Sequence, residues 1–306
     1  MCIIAAKYFK DTGWILAKNR DQNYVADTTI LDKIDPNVGE ILLLDDKTIK
    51  YQEGMNHKGL VIITTSLTPI ISQETNDNDG NIIKAALKLA DPEAAAKYVI
   101  EKQLTGFIFI GTPEKLIVVE AARDRNGRGE YHATSNVIPQ NELIVRTNHG
   151  VEYPWAGFQM GISATQDMWT KSSKTRQIIA ERVLKNAKTP EEMLDGLAKR
   201  EVDNLQMNVF RVESTPSQMR TIFQWALVPK TSTVYLRPIQ SKMNVRVSPD
   251  KIKIVVMDNE PIKQVYKDVI KHFCKIVSSG EDGHIKTVET EQFLYFRDYL
   301  NQPFLR

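Results

Sequence analysis

CIIAAKYFKDTGWILAKNRD, residues 2–21, sets the architecture of this chain. Two β-rich runs, 2–9 and 13–18, flank the tetrapeptide KDTG at 10–13, whose Asp and Gly suit a hairpin turn. The sequence therefore predicts a β-hairpin at the N-terminus. Its first residue, Cys2, is unusual for a packed thiol because chain termini are normally the least buried part of a domain.

Beyond the hairpin, runs of strands alternate with pairs of helices. Two helices have clear start signals, since Asp91-Pro92 and Thr189-Pro190 each place a capping side chain before a proline at the first helical position. This order favours an antiparallel α+β layer structure over a doubly wound parallel sheet. The predicted strands are 41–45, 60–65, 106–110, 115–121, 143–147, 207–212, 219–227 and 232–238, the predicted helices 92–102, 172–187 and 190–200, and the predicted loops 74–80 and 123–129.

The end of the chain is predicted to be helical. Apolar residues from Ile262 to Cys274 recur at helical spacing, which assigns Cys274 to the core. No linker rich in Gly, Ser or Pro divides the chain. We therefore expect a single domain over 1–306, with a core of about 2–245 and a C-terminal helical extension of about 250–306.

Composition excludes several classes of function. Forty basic side chains face 38 acidic ones with no Lys/Arg block, which argues against nucleic acid as a partner. No segment approaches the roughly 18 apolar residues of a membrane span, and no signal peptide is recognisable, so a cytoplasmic location is expected. The two cysteines predict neither a disulfide framework nor a zinc site. No metal or organic cofactor is expected.

The position of Cys2 suggests a chemistry. Removal of Met1 would give one residue both a thiol nucleophile and an α-amine, whose unperturbed pKa is near 8. That amine can serve as the general base, so no separate histidine is required. Cys at position 2 alone is weak support, because it also arises by chance.

Several further motifs strengthen this hypothesis when they are taken in order. Lys18-Asn19-Arg20-Asp21 is similar to an Arg-Asn-x-Asp motif, Thr147-Asn148-His149 to a Thr-Asn motif, and the segment from Ser172 to Arg176 to a Ser-x-x-Arg motif. Together with the segment 54–60 and the hairpin 219–235, they resemble the choloylglycine hydrolase superfamily over roughly residues 2–240. That superfamily contains bile salt hydrolases, penicillin V acylases, acid-ceramidase-like amidases and isopenicillin N acyltransferases. The resemblance implies a four-layer αββα sandwich of two antiparallel sheets, the N-terminal-nucleophile hydrolase fold.

The resemblance also implies four catalytic residues. Cys2 would attack a linear amide carbonyl and form a thioester, and Asp21 would hold the nucleophile's amine and thiol in place. Asn148 would donate a hydrogen bond to the oxyanion. Arg176 would point to the nucleophile and hold the substrate carbonyl.

Four more residues are predicted to bind substrate. Lys18 occupies the family's arginine position and cannot form an arginine's planar fork, while Arg20 follows two residues later on the same strand face. Ser66 falls by spacing where many members carry an oxyanion-hole asparagine. His149 offers a Cys-His alternative, in which imidazole replaces the amine as base.

The sequence leaves three other functions open. An acyltransferase or a dipeptidase of the same fold would share most of these residues, and a catalytically silent member would serve as a structural or binding protein. The expected partner is a small-molecule amide whose identity the sequence does not fix. A homo-oligomer remains open.

Overall fold

The computed structural model describes residues 2–23, 26–46, 51–67, 79–124, 129–157, 164–212, 219–239, 241–246 and 252–268. Cys274 and most of the two predicted loops, at 74–78 and 125–128, lie outside the described residues. The described strands are β1 (Cys2–Phe9), β2 (Gly13–Gln22), β3 (Ala26–Asp35), β4 (Gly39–Asp46), β5 (Tyr51–Asn56), β6 (Val61–Thr65), β7 (Gly106–Gly111), β8 (Leu116–Arg123), β9 (Tyr131–Ile138), β10 (Leu143–Arg146), β11 (Arg220–Val228), β12 (Thr233–Pro238), β13 (Ser241–Arg246) and β14 (Lys253–Val256). The described helices are α1 (Asp79–Ala86), α2 (Pro92–Glu101), α3 (Ala164–Leu184), α4 (Pro190–Leu197) and α5 (260–268).

These strands form two sheets. One sheet has the order β10-β1-β2-β11-β12-β14 and the other the order β13-β3-β4-β5-β6-β7-β8-β9. Pairing is antiparallel except between β12 and β14 and between β13 and β3, which are parallel. The α+β class with antiparallel sheets is therefore confirmed.

The predicted N-terminal hairpin is confirmed as β1 and β2. The Thr12 amide donates to the Phe9 carbonyl at 3.2 Å across the turn. Gly13 has φ of 76°, and a Cβ there would lie 2.2 Å from the Pro113 carbonyl oxygen. Only glycine fits this left-handed position beside another turn.

Three apolar clusters separate four layers. The first lies between the sheets and includes Ile4, Trp14, Leu16, Phe109 and Trp225. The second packs the eight-stranded sheet against α1 and α2, and the third packs the six-stranded sheet against α3 and α4. Even-numbered residues of β1 and β2 thus face the other sheet, and odd-numbered ones face the helices.

Helix starts follow their predicted signals. Asp91 accepts the Ala94 amide at 2.7 Å, and Thr189 accepts the Glu192 amide at 3.1 Å. These bonds satisfy amides that a helix leaves unpaired in its first turn. The helix predicted over 172–187 is α3, which begins earlier, at Ala164, and ends at Leu184.

Two expectations are corrected. The predicted strand 207–212 is not formed, because a 3₁₀ turn at Leu205–Met207 is followed by bends at 208–210 and by residues 211–212 without strand assignment. The predicted C-terminal helical extension of about 250–306 begins, in its described part 252–268, with the strand β14, which pairs with β12, and continues with the helix α5. Ile262 and Tyr266 of α5 pack with Phe210 and Val212.

Among the described residues, none of the helices has the length and apolarity to cross a membrane.

Candidate active site

Cys2 begins the central strand β1 and lies opposite Arg20 of β2. Strand alternation puts it on the same face of β1 as Ile4 and Ala6, which pack between the sheets, and only 8% of its surface is exposed. The Thr65 hydroxyl, at the end of β6, donates to the Cys2 carbonyl at 3.4 Å. The thiol therefore lies where the ends of β1, β2 and β6 meet.

Asp21 follows Arg20 on β2 and is fully buried. Its Oδ1 accepts the Thr221 hydroxyl at 2.8 Å, and its Oδ2 accepts Arg176 Nη1 at 3.2 Å. A second guanidinium nitrogen, Nη1 of Arg211, lies 3.8 Å from the same Oδ2. Both carboxylate oxygens are thus held by neighbours from other elements.

Arg176 joins two of the predicted catalytic residues. From α3 it donates through Nη1 to Asp21 and through Nη2 to Asn148 Oδ1, at 3.0 Å. Burial lowers the pKa of Arg176, while the charges of Asp21 and Cys2 raise it. The Cys2 sulfur is therefore close enough for an anion there to favour the charged guanidinium.

Asn148 follows β10 and is oriented by these bonds. Because its Oδ1 faces Arg176, its Nδ2 points to the end of β6 and donates to the Thr65 hydroxyl and the Ser66 carbonyl, each at 2.9 Å. Gly157 closes the loop after it with φ of 71°, and a Cβ there would lie 2.3 Å from the Asn148 carbonyl oxygen. A glycine is thus required for this approach.

Ser66 and His149 lie beside Asn148. Ser66 is exposed and meets Asn148 through its carbonyl group. The buried His149 ring places Nδ1 3.1 Å from the Thr147 hydroxyl and 2.9 Å from the Ser173 hydroxyl. Ser173 also accepts the Asn148 amide at 2.9 Å, so His149 contacts the site through the Thr147 and Ser173 hydroxyls.

The imidazole of His149 is neutral at neutral pH. Burial is the largest cause, and the positive charges of Lys174, Arg176 and Arg146 add to it, lowering its pKa to about 4.

Lys18 and Arg20 lie on the inter-sheet face in buried ion pairs with the other sheet. Lys18 Nζ is 2.6 Å from Glu53 Oε2, and the two side chains are 1% and 0% exposed. Arg20 pairs with Asp46 of β4. Both cations are therefore held by carboxylates beside the first residues of β1.

Sequence reasoning missed Thr221 and Arg211. Regular alternation along the predicted strand 219–227 puts Thr221 on the same face as Phe223, whereas β11 is irregular between these two residues. Arg211 lies in the segment predicted as an ordinary strand. Within the described residues, no group of three His, Cys, Asp or Glu side chains is arranged to hold a metal ion.

Two antiparallel-dominated sheets packed between helix layers have the architecture of the N-terminal-nucleophile hydrolase fold. The chain belongs to the acyl-coenzyme A:6-aminopenicillanic acid acyl-transferase family, whose model matches residues 11–242, about three quarters of its length. The matched range includes Asp21, Asn148 and Arg176 and begins after Cys2.

Solved structures provide a second comparison. The chain is similar to the crystal structure of the C2A mutant of conjugated bile acid hydrolase from Clostridium perfringens, with 14% identity over 78% of this chain and 89% of that one and a TM-score of 0.45. No curated protein sequence matches the chain. The family assignment rests on the family model.

Proposed function

We propose that this protein is an amide hydrolase in which Cys2, exposed as the first residue by removal of Met1, is the nucleophile. The observation that carries the proposal is the network in which Arg176 on α3 bonds both Asp21 on β2 and Asn148 after β10, while Cys2 at the start of β1 is close enough for its charge to act on Arg176. These residues are separated by up to 174 positions in the chain and include two ionisable groups without exposed surface. Removing a charged group from water is energetically unfavourable, and charged groups buried in this way occur preferentially at functional sites.

The β1–β2 register supports a role for the α-amine. Cys2 is opposite Arg20, so the next register position lies opposite Asp21. Removal of Met1 would therefore leave the new amine adjacent to the Asp21 carboxylate. A carboxylate at that place orients the amine, which accepts the thiol proton as general base.

The reaction then has two stages. Sulfur bonds to the amide carbon, the oxyanion collapses, the C–N bond breaks, and the leaving amine takes the proton held by the α-amine. Water next attacks the thioester and gives a proton to the α-amine, the C–S bond breaks, and the acid leaves while the thiol recovers its proton.

Asn148 and Arg176 are proposed to serve the oxyanion. Both Nδ2 protons of Asn148 are engaged by Thr65 and Ser66, so a substrate carbonyl would take one proton in exchange. One such donor typically supplies about 3 kcal/mol of transition-state stabilisation. Arg176 keeps the amide in the orientation that permits this exchange.

Product analysis tests the proposal. Protein whose first residue is Cys2 is incubated with N-acyl amides, from bile-salt conjugates to N-acyl amino acids and penicillin V, with and without an added amine acceptor. Free acid that forms without acceptor, and is absent with Cys2→Ala, supports hydrolysis. If acyl products form only when the acceptor is present, the activity is acyl transfer and not hydrolysis. No turnover of the panel beyond that of Cys2→Ala would overturn the proposal and leave a structural or binding role.

A further inference from the structure

Thr221 and Arg211 form a bonded pair next to Asp21. The Thr221 amide donates to the Arg211 carbonyl at 3.0 Å, and the Arg211 amide donates to the Thr221 hydroxyl at 3.0 Å. The hydroxyl thus accepts from Arg211 and sends its own proton to Asp21 Oδ1, 2.8 Å away. The Arg211 amide thereby fixes the direction of the hydroxyl.

A β-bulge places Thr221 where it can do this. Thr221 is opposite Asp21 and Phe223 is opposite Arg20, so Ile222 is an extra residue in β11. In a regular strand Thr221 would share the face of Phe223, between the sheets. Bulges of this kind re-aim side chains and are frequent next to active sites.

The backbone of Arg211 lies beside Thr221 of β11, at a position that strand β12 does not reach. The pairing of β12 with β11 ends at Pro238, opposite Phe223, and therefore does not reach Thr221. At this position the Arg211 carbonyl accepts from the Thr221 amide. The Arg211 amide donates to the Thr221 hydroxyl, where a regular strand pair would use the Thr221 carbonyl. Because this second partner is a hydroxyl and not a backbone carbonyl, Arg211 and Thr221 do not form a regular strand pair.

The Arg211 side chain is also held from several directions. Its Nη2 donates to the Ser172 hydroxyl at 2.9 Å and its Nε to the Gln206 carbonyl at 3.1 Å. Trp169 lies beneath the guanidinium, with its ring centre 5.8 Å away. Burial and the positive charge of Arg176 together lower the pKa of Arg211 to about 9, although the charges of Asp21 and Cys2 act in the opposite direction. The group therefore remains a cation at neutral pH, 3.8 Å from Asp21.

We propose that Thr221 and Arg211 are positioning residues that hold Asp21 in the orientation needed to direct the Cys2 amine. The inference rests on the proposed function of Cys2. Thr221 donates to Oδ1 of Asp21 and Arg176 donates to Oδ2, while the Arg211 cation lies 3.8 Å from Oδ2, so the carboxylate has one orientation. Thr221 acts only through Asp21.

Thr221→Val tests this inference with little change of volume. The variant removes the donor to Asp21, and Thr221→Ser restores a hydroxyl without the methyl group. We expect Thr221→Val to lower kcat about tenfold or more, as for loss of one hydrogen bond to a charged group, with KM unchanged. Thr221→Ser should recover most of this loss. Wild-type kcat in Thr221→Val, or equal losses in both variants, would overturn the inference.

A second readout does not require turnover. Iodoacetamide labelling of Cys2, resolved by peptide mass spectrometry, should be slower in Thr221→Val than in wild type and normal in Thr221→Ser. Unchanged labelling in Thr221→Val would also overturn the positioning role. If wild type cleaves no amide, but Cys2 is still labelled more slowly in Thr221→Val than in wild type and Thr221→Ser, the proposed function fails while the positioning role stands. Arg211→Lys, which keeps a cation but not the fork, should show a smaller loss in the same direction.

Discussion

Arg176 reaches from helix α3 to Asp21 on strand β2, with Nη1 3.2 Å from Oδ2 and no exposed surface on either side chain. The same guanidinium donates through Nη2 to Asn148. Two planar contacts from one side chain need the fixed fork of arginine. The orientation of both polar groups therefore depends on a single residue.

Arg176→Lys should lower kcat about 10²-fold while the protein stays folded, because an ammonium group keeps the charge near Asp21 but cannot also hold Asn148. Steady-state kinetics and thermal unfolding measure the two effects. Arg182→Lys is the matched control, since Arg182 lies on the same helix with 63% of its side chain exposed. Equal kcat values for the two variants would remove Arg176 from the site.

Asn148→Ala should lower kcat about 10²-fold or more, because it removes the proposed oxyanion donor and adds no buried charge. Asn136→Ala, on the exposed edge strand β9, is the control. The comparison is of kcat and KM with one amide substrate. A large rise in KM with unchanged kcat would place Asn148 in substrate binding instead.

The Lys18–Glu53 pair should behave as a buried structural unit. Lys18→Met alone should cost about 3–5 kcal/mol of unfolding free energy, because it leaves the Glu53 carboxylate buried without its cation. Adding Glu53→Gln removes that charge and should restore most of the stability. Urea unfolding of both single variants and the double variant measures this coupling.

Kinetics of the double variant decide the role of Lys18. Wild-type KM would show that Lys18 does not bind substrate, whereas a KM raised tenfold or more in a stable protein would support the role predicted from the sequence. A double variant as unstable as Lys18→Met would contradict the ion-pair account.

His149 should make stability depend on pH. Its pKa is about 4 in the folded protein against an ordinary 6.5, so the unfolded chain binds more protons between these values. The contribution of neutral His149 is thus complete above pH 6.5 and is lost as pH falls toward 4. Replacing it with glutamine, which does not titrate, should flatten the dependence of unfolding free energy on pH in that window. If the unfolding free energy depends on pH in the same way in wild type and His149→Gln, the lowered pKa of His149 is contradicted.

Several residues of the candidate site could be predicted from the sequence because they stand in short motifs. Asp21, Asn148 and Arg176 each stand in a recognisable run, and the hairpin and capped helices were defined by local turn and capping chemistry. Their convergence follows from the layer order, since β2, β10 and α3 meet at one end of the six-stranded sheet.

Other features depend on tertiary structure. Thr221 contacts Asp21 only because of a one-residue bulge, and strict alternation predicts the wrong face. Strand β9 escaped notice because it is a largely polar, partly exposed edge, which leaves almost no apolar alternation to detect. The buried pairs of Lys18 and Arg20 bring in Glu53 and Asp46 from the other sheet, and no local pattern links these positions.

Cys2, as the first residue of the chain, is expected to become acylated during turnover. Intact-protein and peptide mass spectrometry of wild type quenched with acid during steady-state cleavage measures this directly. We predict a chain lacking Met1, with one acyl group on the peptide that begins at Cys2, and no adduct in Cys2→Ala. Fully active protein that retains Met1 quantitatively, or turnover that continues in Cys2→Ala, would contradict the account.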